Sequence, residues 1–360
     1  MGDPSASDDR VPLVGFVLAQ TSGGIGRHVR DLAGRLTELG QPPYVVAPRD
    51  VIDRFSLDAV AAATAVDVAD ARSFGAARRA IRRVSAASDV VHAHGLRAGA
   101  MAARSRVAGG APVVQTWHNL PPTDGVAGRI GTQFARLSAR GTDITLAVSD
   151  DLVALALASG ARDARWTPVA APAIGTPTRS VAAVRADLGA ANRPLVVAVG
   201  RLARQKGFDV LGEAGDILAE ETNPPVIAVA GEGPERASLS GTTLVLLGAR
   251  DDVASLLAAA DVVVMPSRWE GWPLVAQEAL RAGKAVVASR VGGLPRLAGD
   301  AVEWVPADDP GTLAVALRRL LADDVRRGAL EAAARRRALE LPDEAATMAA
   351  LLAVYREVRR

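Results

Sequence analysis

Short, unbroken apolar runs recur along the chain, separated by longer stretches in which apolar residues return with a helical period. In the first half, Val11–Ala19, Tyr44–Ala47, Val90–Ala93, Val113–Thr116 and Ile144–Val148 read as strands. A glycine turn and an amphipathic helix from about Gly26 to Leu39, stopping at Gly40, follow the first of them. None of these runs alternates polar with apolar residues, so each strand is expected to be buried on both faces, as in a parallel sheet covered by helices. The second half repeats the scheme with Leu195–Val199, Val226–Ala230, Leu244–Leu247, Val262–Met265, Ala285–Ala288 and Val302–Val305. Between the halves, Val169–Ser180 is rich in Pro, Ala, Gly and Thr without a period, and reads as a linker. The pattern predicts an α/β chain of two Rossmann-like parallel-sheet domains, residues 1–172 and 173–342, facing each other across a cleft at the carboxyl ends of their strands. A last helix over 343–360, beginning after Pro342, is free to pack back on the first domain.

Composition narrows the chemistry. The 360 residues exceed one ordinary core and suit two α/β domains. Forty-two basic against forty acidic residues leave a net charge of +2, and aromatics make up only 3%. Nucleic-acid binding, which needs a concentrated basic face with stacking aromatics, is therefore not expected. Absence of cysteine removes disulfides, thiolate nucleophiles and Cys-ligated zinc. The acidic, polar start MGDPSASDDR is unlike a signal peptide, and no run approaches the roughly 20 apolar residues that span a bilayer. A cytoplasmic protein is expected, with peripheral contact at the inner membrane face left open. Arginine replaces lysine almost everywhere, as in a GC-rich genome, so Lys206, one of only two lysines with Lys284, draws attention to its chemistry.

Three segments carry candidate chemistry. In TSGGIGRHV, Thr21–Val29, glycines between a strand and a helix let amides approach an anion. Val29 stands where a dinucleotide fingerprint needs its third glycine, which argues against a dehydrogenase. In VAVGRLARQKG, Arg201 and Lys206 follow Gly200 at a strand's end, where a guanidinium fork and an ammonium point charge suit a diphosphate. In RWEGWPLVAQEAL, Glu270 lies in a loop and Glu278 in the helix that Pro273 opens, and the amides of Gly271 and Trp272 are expected at that helix's start.

Together these motifs resemble the glycosyltransferase 4 family of retaining GT-B enzymes, and the resemblance runs from Gly23 to the loop after Gly293. It also takes in GEGPER, Gly231–Arg236, and the AGKAVVAS strand with its GG loop. The resemblance implies a hexose moved from a UDP- or GDP-linked donor, with no cofactor and no metal, to an unidentified small-molecule, lipid or glycan acceptor. It places amides of Gly23 and Gly24 beside the donor diphosphate, with Gly200 at the strand end that leads into Arg201 and Lys206. Arg201 and Lys206 would neutralise the leaving group. Glu270, with Gly271, Trp272, Pro273 and Leu274, would hold the donor sugar, and Glu278 the ribose. Arg250, in the stretch Ala249–Asp252, would lie toward the base. His118, in TWHN, would stand beside the transferred sugar, and His28, His94 and Asn119 would lie on the acceptor side.

The chain departs from the family in two places. Ala170–Ile174 replaces an Asn–Gly with an acidic residue, and Arg296 replaces a glutamate after GG-x-P. The i, i+2 pair His92 and His94 lacks a third metal ligand in sequence and reads as structural or acceptor-side. The helix over Ser73–Ala87 carries Phe74, Ala77, Ile81 and Val84 as a stripe beside Arg78, Arg79, Arg82 and Arg83. That stripe reads as packing on the sheet, with a membrane surface as the less favoured reading. A nucleotide-sugar epimerase or hydrolase of the same fold, and a non-catalytic nucleotide-sugar-binding module, are the alternatives. The intact set Arg201, Lys206, Glu270 and Glu278 speaks against the second.

Overall fold

A computed structural model describes residues 10–21, 23–122, 125–172 and 174–359. The chain divides into two units, one comprising the residues up to Val169 together with the segment from Glu344, the other Ala170–Asp343.

The first unit holds seven parallel strands: β1 Val14–Leu18, β2 Tyr44–Ala47, β3 Ala62–Ala65, β4 Val90–His94, β5 Val113–Trp117, β6 Ile144–Ala147 and β7 Ala164–Trp166. Their order is β3-β2-β1-β4-β5-β6-β7. Strands β1, β4, β5 and β6 are buried along their whole length, as expected of a sheet covered on both faces, although β4 to β6 also bury His92, His94, Gln115, Thr116 and Thr145. The sequence pattern misses β3 and β7, because both are short edge strands. AATA in β3 is mostly exposed and has no apolar run to mark it.

The helix Glu344–Arg359 belongs to this unit. Its Met348, Leu351, Leu352 and Tyr355 join Phe16, Val90 and Ile144 in one core. Arg165 forks onto Glu357 at 2.7 and 2.6 Å, and Arg35 reaches Glu344 at 2.9 Å, pinning the helix at both ends. On the helix Phe74–Ala87, Ala77, Ile81 and Val84 pack on Val17, Val46 and Val91, so the apolar stripe serves the sheet. Among the described residues no helix is long and apolar enough to cross a membrane.

The second unit holds β8 Leu195–Val199, β9 Val226–Ala230, β10 Val245–Gly248, β11 Val262–Met265, β12 Ala285–Ser289 and β13 Glu303–Val305, again parallel, in the order β10-β9-β8-β11-β12-β13. In both sheets the strand order reverses beside the first strand of the unit, at β1/β4 and at β8/β11. Loops leaving such a reversal point diverge and open a crevice, where ligands of open α/β sheets bind. All three motif segments leave one of these four strands.

Candidate functional site

In the second unit the site is built where β8 and β11 end side by side. Beyond β8 the backbone makes a single 3-10 turn, Arg204–Lys206, and ends at Gly207 with φ +64°. The Lys206 side chain folds back toward the strand: a Cβ built on Gly200 would lie 3.6 Å from both its Cδ and its Cε. Its ammonium donates to both oxygens of Glu270, at 2.7 and 3.0 Å. Ser267 Oγ donates to Glu270 Oε1 at 2.6 Å. The carboxylate is almost fully covered, at 5% side-chain exposure against 21% for Lys206. A charge so placed is stable only with its partners in position.

Backbone and side-chain bonds staple the two loops together. Arg268 N–H donates to the Gln205 carbonyl at 2.8 Å, and Gln205 Nε2 donates to the Trp269 carbonyl at 2.9 Å. Arg268 forks onto Asp209 at 2.8 and 2.8 Å, which holds the Asp209 carboxyl below the usual range. From the far side the loop after β12 closes on Glu270. Gly293 N–H donates to the Glu270 carbonyl at 2.9 Å, and a Cβ on Gly292, whose φ is +51°, would lie 1.9 Å from that oxygen. The loop Gly231–Gly233 packs as closely on the exit of β8, with Leu202 N–H donating to the Glu232 carbonyl at 2.9 Å. Arg201 is left exposed at this exit, its side chain making no hydrogen bond or ion pair among the described residues.

Other expected donor residues lie as follows. Gly271, Trp272 and Pro273 are buried, and the helix runs Leu274–Arg281 with Pro273 as its N-cap, at φ −67° and ψ 131°. That corrects the expectation that Gly271 and Trp272 supply the helix-terminal amides. Proline in the cap position moves the first free helical N–H to Leu274. Glu278 is half-buried within the helix, as its spacing implies. Arg250, past the edge strand β10, forks onto Asp252 at 2.8 and 2.6 Å and is not part of the Lys206–Glu270 group.

In the first unit Gly23 caps the helix Gly24–Glu38, and a Cβ there would meet nothing within 4 Å, so the turn is open. Ser22 lies outside the described residues. Gly26, three residues after Gly23, is needed for packing: its Cβ would strike the Phe55 ring at 2.2 Å.

The four histidines form one cluster. His92 and His94 share a face of β4 with ring centroids 4.2 Å apart. His94 Nδ1 lies 3.1 Å from Nε2 of His118, the first residue after β5. His28, from the helix after β1, turns its ring edgewise to both, at centroid distances of 5.7 and 6.0 Å. Burial pushes His28 down to about 4 and His92 to about 3, and holds His94 and His118 well below the ordinary imidazole value. All four are therefore neutral near pH 7. Asn119, next to His118, is exposed.

Two residues that the sequence did not flag anchor this cluster. Tyr355 Oη lies 2.6 Å from His92 Nδ1, and Thr116 Oγ1 lies 2.8 Å from His92 Nε2. Nothing local marks Tyr355, which is 263 positions from its partner. Ser267 was likewise missed, although it stands three residues before Glu270. Tyr355→Phe would leave a buried imidazole nitrogen unpaired. We expect it to cost about 1–3 kcal/mol in urea unfolding; an unchanged midpoint would show that the bond carries no net stability.

Residues 23–172 match the family model described as glycosyl transferase 4-like domain, and residues 193–323 that of glycosyl transferases group 1. The chain is 32% identical over 332 residues to a D-inositol 3-phosphate glycosyltransferase of Salinispora arenicola, covering 79% of this chain and 72% of that one. Against an enzyme of the same name from Xylanimonas cellulosilytica it is 37% identical over 204 residues, 52% of this chain and 48% of the relative. In three dimensions the chain is similar to HepE of Anabaena, solved in complex with UDP-glucose. The TM-score is 0.80 at 18% identity, over 95% of this chain and 100% of that one.

Proposed function

Because the chain belongs to the group 1 glycosyl transferases and has their GT-B fold, we propose that this glycosyltransferase moves a hexose from a nucleoside diphosphate sugar, with retention at the anomeric carbon and without a divalent metal. The donor is a UDP- or GDP-hexose, and the acceptor a small molecule, lipid or glycan. The observation that carries the reading is the Lys206–Glu270–Ser267 group at the β8/β11 reversal, beside the unpaired Arg201.

The chemistry follows from counting donors and acceptors. Departure of a nucleoside diphosphate builds negative charge on its phosphates, and fixed cations aimed at that charge lower the barrier. Arg201 offers its whole guanidinium fork. The Lys206 ammonium has three N–H groups, and its two contacts to Glu270 leave one for a phosphate oxygen. Among the described residues Glu270 Oε2 accepts from Lys206 alone, so it retains capacity for a sugar hydroxyl. The amide of Leu274 and the loop Gly271–Pro273 line the same side of the donor, with Gly200 at its diphosphate. Glu278 takes the ribose hydroxyls. Arg250 lies toward the base, where Asp252 holds its guanidinium. The same reading assigns Gly23 and Gly24 to the diphosphate, His118 to the transferred sugar, and His28, His94 and Asn119 to the acceptor.

The test is a thermal shift against UDP-, GDP-, ADP- and dTDP-sugars, with and without EDTA. Since HepE was solved with UDP-glucose, that donor is tried first. A donor at a hundred times its Kd should stabilise by about 2.7 kcal/mol. No shift with any of the four sugars would remove the donor assignment. A shift abolished by EDTA would remove metal independence.

A further inference from the structure

We propose that His94 is a positioning residue for His118: it donates from its Nδ1 to Nε2 of His118, so that His118 carries its own proton on Nδ1. The two nitrogens are 3.1 Å apart and the rings lie within 21° of coplanar, the arrangement of an in-plane hydrogen bond. A neutral imidazole has one N–H and one bare nitrogen, so the contact admits two arrangements. His94 Nε2 decides between them, because it is buried with no hydrogen-bond partner.

Were His118 the donor, His94 would carry its proton on Nε2 and bury an N–H with no acceptor. Orphaned buried N–H groups are rare, and an under-satisfied acceptor is the lesser cost. The proton therefore sits on Nδ1 of His94 and is given to His118. With its Nε2 taken, half-buried His118 has Nδ1–H as its remaining polar edge, a donor of fixed orientation.

The neighbours hold His94 in that state. His92 packs on its ring at 4.2 Å, with both its own nitrogens engaged by Tyr355 and Thr116, so it has no nitrogen to offer His94 Nε2. Phe16 and His28 stand at 5.6 and 5.7 Å from the His94 ring. These rings keep His94 neutral, as its strongly lowered pKa reflects. His118 is thereby set to donate a hydrogen bond to an oxygen of the sugar or acceptor. Only this last step rests on the proposed transfer; the tautomer does not.

The chain has just four histidines, so ring-nitrogen NMR of histidine-labelled protein resolves every ring. We expect the His118 ring to be protonated at Nδ1 in the parent protein and in His94→Asn, whose amide places an N–H close to the lost one. In His94→Phe it should shift toward the Nε2–H form. With a donor identified, His94→Phe should lower kcat about tenfold, the equivalent of one hydrogen bond, with KM for the donor little changed, and His94→Asn should recover most of it. An Nε2-protonated His118 in the parent protein overturns the proposal, whether or not the variants fold. So does a His118 signature unchanged in His94→Phe. A parent protein that shows this tautomer but transfers no sugar would count against the function proposed above and leave the dyad standing.

Discussion

Lys206→Met is expected to lower both turnover and stability. Removing the ammonium leaves the Glu270 carboxylate, 5% exposed, with Ser267 as its remaining side-chain donor. Breaking a covered ion pair from one side costs about 3 kcal/mol, because the surviving charge is stranded. Turnover should fall about a hundredfold or more, the usual size of a lost charge-stabilising donor. The double variant Lys206→Met/Glu270→Gln separates the two effects. With no charge left to strand, it should regain most of the urea midpoint while staying as slow as the single variant. If the single variant kept full turnover, or the double variant regained it, Lys206 would be only a structural partner of Glu270.

Gly207→Ala should be nearly as damaging without touching a charge. Its backbone stands at φ +64°, and an added Cβ would sit 2.0 Å from the Pro266 carbonyl oxygen. Left-handed backbone at a residue with a Cβ costs about 1–2 kcal/mol, and forced overpacking about 1–3 more. The clash cannot be relieved by rotating a side chain, since the atom it meets is backbone. The loops leaving β8 and β11 must move apart, carrying Lys206 away from Glu270. We expect a loss of about 3 kcal/mol with donor affinity falling in parallel. Unaltered donor binding, measured by calorimetry, would show that the two loops tolerate separation.

Much of this was legible from the sequence, for a physical reason. Strands buried on both faces must be continuously apolar, so Tyr44–Ala47, Leu195–Val199, Val226–Ala230 and Val262–Met265 are found at the ends the pattern assigns them. Edge strands escape that requirement, and Ala62–Ala65 and Ala164–Trp166 left no such trace. Lys206 and Glu270 stood out through the rarity of lysine and the flanking glycines. Their bond, across 64 residues, could not be read, because it depends on β8 and β11 being neighbours although β9 and β10 lie between them in the chain. The histidine cluster was hidden for the same reason. Three of its members come from the ends of β4 and β5 and the helix after β1, and although His28, His94 and His118 were each assigned to the sugar or acceptor side, nothing in the sequence showed that their rings meet. Pro273 misled by one position: its rigid φ suits the first helical residue and the cap alike.

The return of Glu344–Arg359 to the first unit makes the second an insertion within it. A ribosome releases Val14–Val169 long before it releases Met348, Leu351 and Tyr355, which complete that unit's core. Domains usually fold in order of synthesis, but here the first to emerge is the last to be finished. In the interval Phe16 and Val90 face a vacancy, and His92 waits for the hydroxyl that will hold it.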